Sequence, residues 1–317
     1  MMLTFAFCTY NRAHRLEGLV SAMRAQDCQI PFEVLAVNNN STDTTLAVLE
    51  KLAGLPGAPL RFVTEQTPGI VPARNRVIAE VLTSDILVFI DDDETPKPGL
   101  LMAAHHAIVN EGAQCVGGRV EVDFTPYRRP SWLDDSLLGF LGEANHGFNP
   151  FWITDDSTPI WTGNIAYDMR LFRNDPTLRF DQRYNREGYT FGGGEDVMMF
   201  RRLLNQSARL RYCPQMVVLH SVEPRRLQRR YFLRLHHQAG TRKGLHELPS
   251  HARSFLGIPP YLIRQAVSHT IKTFTLLLLN KPGLLRQAMN ATHALGLIRG
   301  LHQRHRALHA TKTFKHG

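Results

Sequence analysis

The chain has 317 residues, is 43% hydrophobic and carries a formal charge of +9, so it can bury a full core as one large domain or two modest ones and is too apolar for a disordered segment. The charge is lopsided: residues 1–220 hold 20 Lys+Arg against 26 Asp+Glu, whereas residues 221–317 hold 17 against 2 (Glu223 and Glu247) and ten of the 15 His. The acidic body speaks against a nucleic-acid-binding protein, and the basic tail points at something anionic: membrane lipid, nucleic acid or a phosphorylated ligand.

Leu3–Phe7 reads as a first strand and Cys8–Arg12 as the loop after it; Leu16, Leu19, Val20 and Met23 then recur at helical spacing. The opening Met1–Phe7 places no basic residues before its apolar ones, unlike a secretory signal. Phe32–Val37 predicts a second strand, followed by the polar loop Asn38–Asp43, from which Ser41 or Thr42 caps a helix carrying Leu46, Val48, Leu49 and Leu52. Leu60–Val63 is a third strand, and Gly69–Leu82 holds a helix with Arg74 and Asn75 in its first turns. Ile86–Ile90, apolar throughout, predicts a fourth strand buried on both faces; it runs into Asp91, Asp92, Asp93 and Glu94, and Pro96 and Pro98 stop it. Strands alternating with helices at this pitch imply an α/β fold, a largely parallel, doubly wound sheet with helices on both faces.

A helix from about Gly99 to Asn110 follows, then a strand Cys115–Val122 weakened by Gly117 and Gly118. Residues 123–160, rich in Pro, Trp, Phe and Asp, predict a long loop or lid. Order resumes at Trp161–Tyr167; Gly192–Asp196 opens a helix with Val197, Phe200, Leu203 and Leu204; a strand from Leu210 to Leu219 ends at His220. From Pro224 the pattern is helical and basic. Ile258–Asn280 is the most apolar stretch, but Arg264, His269 and Lys272 interrupt it, leaving it short of the roughly 18 uninterrupted apolar residues of a spanning helix. It reads as an interfacial amphipathic helix or as a helical subdomain packed on the sheet. Cys8, Cys28, Cys115 and Cys213 lie far apart with no CxxC spacing, as reduced thiols of a cytosolic protein would.

Four carboxylates at the open end of a buried strand repel one another and resist desolvation unless something positive joins them. Ligands of open α/β sheets bind outside the carboxyl ends of the strands. The simplest counter-charge is a hard divalent cation carrying a phosphate-bearing substrate; a solvated acidic turn is the plainer alternative.

Five stretches in order, Thr9-Tyr-Asn-Arg12, Val37–Asp43, Pro68–Asn75, Phe89–Asp93 and Gly194-Glu-Asp196, resemble the family 2 glycosyltransferases over about residues 1–240, with residues 241–317 outside the shared core. The resemblance implies a GT-A type, Rossmann-like mixed sheet flanked by helices, with a basic C-terminal helical extension. It implies a nucleotide-sugar donor (UDP-, GDP- or dTDP-linked) and Mg²⁺ or Mn²⁺. Asp93 would hold the metal, with Asp91 between metal and nucleotide; Asp92 belongs to the same donor cluster, although strand alternation turns it away. His220 is a third metal ligand, a diphosphate contact or a structural histidine.

Thr9, Asn11 and Arg12 resemble the first nucleotide-contacting loop. Many members have Asp where Asn38 or Asn39 stands; an Asn amide both donates and accepts, so it could read uracil, thymine or guanine. Arg74 resembles an arginine near the donor's base and phosphates, or pairs with Asp91 or Asp92. Asp196 matches the family's general base, which takes the proton of the attacking acceptor hydroxyl, and Glu195 positions the acceptor or holds the loop. Trp161, Gly163 and Asn164 resemble the acceptor-side strand, where Trp161 stacks on a sugar or packs in the core; Trp132 and Trp152 could also stack on sugars. Arg225 and Arg226 are candidates for diphosphate or lipid phosphate. The expected enzyme is thus an inverting, metal-assisted glycosyltransferase acting on a growing, lipid-linked glycan. It would sit peripherally on an anionic membrane at the cytoplasmic face, drawn there by its basic tail. A nucleotidyltransferase is a weaker alternative, because Thr9–Arg12 makes a poor phosphate loop, and a nucleic-acid-binding protein lacks any supporting motif.

Overall fold

The computed structural model describes residues 1–186, 193–249, 251 and 253–313, the last five by backbone alone. The chain folds as two compact units, Met1–Glu223 and Pro224–Gly317. Residue 240, where the sequence divides core from extension, lies inside a helix of the second unit (Arg229–Arg242).

The first unit is built on β1 (Leu3–Thr9), β2 (Phe32–Asn38), β3 (Leu60–Thr64), β4 (Ile86–Ile90), β5 (Glu94–Pro96), β6 (Cys115–Asp123), β7 (Phe151–Ile153), β8 (Asn164–Asp168) and β9 (Leu210–Ser221). They form one mixed sheet in the order β3-β2-β1-β4-β8-β6-β9-β5, with β7 also paired to β9. The half β3-β2-β1-β4 is parallel, as the alternating strand and helix pattern requires. Beyond it β8 runs antiparallel to both β4 and β6, so the sheet is mixed, as the GT-A type demands, and less parallel than periodicity alone implied.

Alternation along the strands feeds two cores. Phe5, Phe7, Val88 and Ile90 face one side, beneath α1 (Ala13–Arg24), α2 (Thr45–Ala53) and α4 (Leu100–His105). Ala6, Leu87 and Phe89 face the other, beneath α3 (Ile70–Glu80), α5 (Arg170–Asn174) and α6 (Glu195–Asn205). That is why Ile86–Ile90 carries no polar residue: each of its five side chains is buried. Leu16, Leu19, Val20 and Met23 are the buried face of α1.

Three local expectations change. Pro96 does not end the acidic stretch's use in the sheet: Glu94–Pro96 resumes as the edge strand β5, antiparallel to β9 with Glu94 opposite His220, and an edge tolerates a residue without an N–H. The start of α2 is satisfied by Asp43, whose Oδ1 accepts from the Thr45 N–H at 2.9 Å, while Ser41 turns to Asn11. The 123–160 stretch is no open lid throughout: a turn of helix at Asp135–Leu141 buries Leu137, Leu138 and Leu141, and β7 joins the sheet. The glycines of β6 mark a bulge. The β6–β9 register slips between Gly118 and Arg119, and a Cβ on Gly118 would collide with Asn164 and Met216.

The second unit consists of α7 (Arg229–Arg242), continued by a wider turn Lys243–Glu247, then α8 (Pro260–Leu278) and α9 (Leu284–Thr313). Phe232 and Met289 are fully buried in it, and Leu262, Leu297 and Leu301 form a buried cluster. Close backbone contact at glycines adds to these side chains. A Cβ on Gly240 would meet the His293 carbonyl, one on Gly296 the His237 carbonyl, and one on Gly300 the Thr241 carbonyl. Because the obstacle is backbone, no rotamer relieves it. Gly296→Leu is therefore expected to cost about 3 kcal/mol or more of helix-pair stability through overpacking, read as an earlier loss of helical circular dichroism on heating. Gly18→Ala is the control, since a Cβ there meets nothing within 4 Å, and it should instead stabilise α1 by about 0.5–1 kcal/mol.

Candidate active site

The site begins where β4 ends. Its four carboxylates separate at once, each to a different partner. Asp91 Oδ1 meets Arg74 Nη2 at 3.1 Å. Asp92 Oδ2 accepts from the Thr9 hydroxyl at 2.8 Å. Asp93 Oδ2 faces His220 Nε2 at 3.6 Å. Glu94 folds back, its Oε2 accepting from the Asp91 N–H at 2.9 Å. The crowding leaves its mark on acidity. Burial, then the charge of Asp93, push the Asp92 carboxyl up to about 7, against the pull of Arg12 and the Thr9 bond. Burial, then Asp91 and Asp93, hold Glu94 well above the usual carboxylate range. Buried and crowded, these carboxyls resist ionising together.

Arg74 is the hub. It rides in the second turn of α3, 2% exposed, with its guanidinium 5.6 Å from the Phe180 ring centroid. Nη1 donates to Glu195 Oε1 at 3.0 Å and to Asp196 Oδ1 at 2.5 Å, while Nη2 reaches Asp91. Burial alone would lower its pKa; Asp196, Asp91 and Glu195 outweigh burial and raise it, so the cation is permanent. The pairing with Asp91 that the sequence offered is present, its alternative with Asp92 is not among the described contacts, and the bridge to Glu195 and Asp196 was not foreseen. Arg74 ties the end of β4 to the first turn of α6. Glu195 is buried there, its carboxyl pushed up by burial and by Asp196 against the pull of Arg74.

Asp196 is held differently. Its Oδ1 takes both the Arg74 bond and a very short one from the Thr162 hydroxyl. Among the described residues Oδ2 takes none, and the side chain is 20% exposed. Gly193 and Gly194, at φ 120° and 108°, bring the chain into this turn in a conformation that suits glycine; Gly192, of the same predicted triplet, lies outside the described residues.

The polar loops beyond β1 and β2 are bound to each other. Asn11 sits at φ 51° and its Oδ1 accepts from the Thr42 and Asp43 N–H groups at 2.7 and 3.3 Å. Arg12 reaches Glu223 at 2.6 Å. Asn38 Oδ1 accepts from Ser41 N–H at 3.2 Å. Asn39 donates to the Thr67 and Glu65 carbonyls at 2.7 and 3.3 Å and accepts from Gly69 N–H at 2.7 Å. Both amides, read from sequence as base-contacting, thus clamp backbone here, and Asn39 ties β2 to the turn that starts α3.

On the strand side, Trp161 is half-buried against the core. Gly163 lies so close to Glu94 that a Cβ would come 2.5 Å from its Oε1. Asn164 is corrected: it is buried inside the sheet and donates to the Arg119 and Met216 carbonyls at 3.0 and 2.9 Å, bridging the bulge rather than facing an acceptor. Sequence reasoning passed over Thr162, because a lone hydroxyl in a turn before a strand has no pattern of its own; only the fold brings it to Asp196.

The family model described as "Glycosyl transferase family 2" matches residues 4–177, more than half of the chain. The chain belongs to glycosyl transferase family 2. Two curated relatives of this glycosyltransferase are an uncharacterized glycosyltransferase, YfnE, of Bacillus subtilis (34% identical over 103 residues, 32% of this chain and 26% of the relative) and the glycosyltransferase AglE of Haloferax volcanii (28% over 116 residues, 36% and 38%). The matched stretches thus span well under half of either relative. Among solved structures, the Pyrobaculum calidifontis mannosyltransferase PcManGT, in complex with GDP-Man and Mn²⁺, aligns with TM-score 0.61 at 18% identity over 95% of this chain and 87% of that one. Staphylococcus aureus TarS 1-349 with UDP-GlcNAc aligns with TM-score 0.52 at 14% identity over 97% and 84%. At such identity the likeness establishes the fold, which is GT-A.

The metal ligands expected from sequence are not gathered as a set of three in this family 2 chain. Among the described residues no group of three or more His, Cys, Asp and Glu side chains could hold a metal ion; Asp91 pairs with Arg74, while Asp93 faces His220. One carboxylate and one imidazole remain. Mg²⁺ in phosphate-handling sites takes one or two carboxylates and completes its shell from substrate phosphates and water, and Mn²⁺ also accepts carboxylate oxygen. Asp93 and His220, 3.6 Å apart, can offer one oxygen and one nitrogen to such a shell, so the residues fit a metal shared with a diphosphate.

Proposed function

We propose that this family 2 chain is an inverting glycosyltransferase that moves a sugar from a nucleoside-diphosphate sugar to a hydroxyl of a growing glycan, with Asp196 as general base. The observation that carries the reading is the division of labour on Asp196: Oδ1 is fixed by Arg74 and Thr162, while Oδ2, which takes no bond among the described residues, can meet an incoming hydroxyl. The acceptor oxygen attacks the anomeric carbon opposite the diphosphate, the bond from that carbon to the diphosphate oxygen breaks, and the acceptor proton passes to Oδ2. Thr162 and Arg74 hold the carboxylate in one orientation while this happens. Bound Mg²⁺ or Mn²⁺, with Asp93 and His220 to hold it, would supply the positive charge that stabilises the departing diphosphate.

The donor is a UDP-, GDP- or dTDP-sugar; the neighbours solved with GDP-Man and with UDP-GlcNAc support the class without choosing the base. The acceptor is a lipid-linked saccharide at the cytoplasmic face of an anionic membrane, a reading supported by the second unit, which carries 17 Lys+Arg and one acidic residue, Glu247.

A thermal-shift panel of UDP, GDP, dTDP and CDP tests the donor half. One diphosphate should raise the melting temperature, more with Mn²⁺ than without, and Asp93→Ala should remove the Mn²⁺-dependent part. If none of the four shifts the protein with or without Mn²⁺, the donor assignment fails.

A further inference from the structure

Among the described residues, one face of α8 is exposed and apolar. Leu262 and Ala266 are buried, and the positions on their side of the helix are half-covered. On the exposed side Ile263, Val267, Ile271, Phe274 and Leu278 recur three and four residues apart, from 42% exposed at Ile263 to 83% at Leu278. Five large apolar residues in one row form a contiguous stripe, which soluble surfaces rarely present without a partner. Next round the helix come Arg264 and Lys272, both exposed. Three sectors, packed, apolar and basic, thus divide one helix.

We propose that this stripe is a membrane-seating surface, in which α8 lies in the plane of an anionic bilayer with Ile263, Val267, Ile271, Phe274 and Leu278 in the acyl boundary and Arg264 and Lys272 among the phosphates. Charge decides between occupants. A second copy docking through this unit would bring 17 basic residues against 17, with one acid on each side, whereas anionic headgroups neutralise them. Length decides the mode: among the described residues no helix is long and apolar enough to cross a membrane, and a helix with one apolar face lies in the interface. The inference deepens the proposed membrane placement, but it rests on α8 alone and not on the transfer chemistry.

The test is co-sedimentation of the full chain with vesicles of phosphatidylglycerol and phosphatidylcholine in equal parts, and with phosphatidylcholine alone. Binding should require the anionic lipid and weaken with salt. The Ile271→Glu, Phe274→Glu double variant should lower the partition coefficient at least about tenfold, and Arg264→Glu with Lys272→Glu should lower it by roughly fivefold or more per residue. All four positions are exposed, so both variants should melt with the parent, and their unchanged nucleotide-dependent thermal shift would show that the first unit's site is intact. Undiminished vesicle binding by the apolar double variant overturns the proposal. So does a parent dimer in sedimentation equilibrium that the same variant dissociates, which would assign the stripe to a second copy. Loss of nucleotide binding in the parent would count against the donor reading and leave this one standing.

Discussion

Asp196→Asn is expected to lower kcat by about 10²–10⁴-fold, the usual worth of a positioned general base, and to leave nucleoside-diphosphate binding largely as it was. The amide keeps a carbonyl oxygen for the bonds from Arg74 and Thr162, so the turn should stay in place. At the Oδ2 position it puts an NH₂ group, which donates two hydrogen bonds and accepts none. An acceptor hydroxyl then meets a donor where it needs a proton acceptor. Steady-state rates with saturating donor, alongside titration of the Mn²⁺-nucleotide complex, separate the two effects. A variant that turns over at the parent rate sinks the assignment of Asp196. One that loses nucleotide affinity as strongly as kcat would make the residue part of the donor seat.

The fold was legible wherever a single helix or strand buries its own pattern. Leu16, Leu19, Val20 and Met23 announced α1, and the unbroken Ile86–Ile90 announced a central strand, because local period and burial agree there. The mixed half of the sheet was not legible. Strands β6, β8 and β9 owe their direction to long-range pairing, and the glycine pair that weakens β6 by propensity is what its bulge needs. At the site, charged motifs singled out side chains that the fold brings together, without showing how they pair. Asp91, Arg74, Glu195 and Asp196 were each singled out, yet that they share one guanidinium depends on α3 and α6 meeting at the end of β4. Asn38, Asn39 and Asn164 were singled out as polar residues in loops and strand ends, but the partners their amides take, Ser41 and Thr64, the Thr67 carbonyl, and the Arg119 and Met216 carbonyls, come from other elements that only the fold brings near.

Arg74→Met should be the most damaging single change to the first unit's stability. It removes the cation that Asp91, Glu195 and Asp196 share and leaves Glu195, 2% exposed, without that ion pair and with only the more distant pull of Arg186 among the described residues. Breaking a buried pair from one side costs about 3–5 kcal/mol, which for a unit of this size lowers the melting temperature by roughly 10 °C. The sign of the pH dependence follows from Glu195. Its folded pKa is raised, by burial first and Asp196 second, and Arg74 restrains the rise. A group with a raised folded pKa supports the fold while protonated and ceases to as pH climbs from the ordinary carboxylate range through the raised value. Without Arg74 the rise is larger and the loss at neutral pH greater, so the gap between variant and parent should narrow from about pH 7 to about pH 5. Arg74→Lys should recover only part of the difference, since one ammonium cannot span three carboxylates as the guanidinium fork does. If Arg74 instead served chiefly to grip the donor, Arg74→Met would melt with the parent in the absence of nucleotide and differ only in nucleotide affinity. Melting curves without ligand at the two pH values therefore decide whether this arginine builds the site or binds in it.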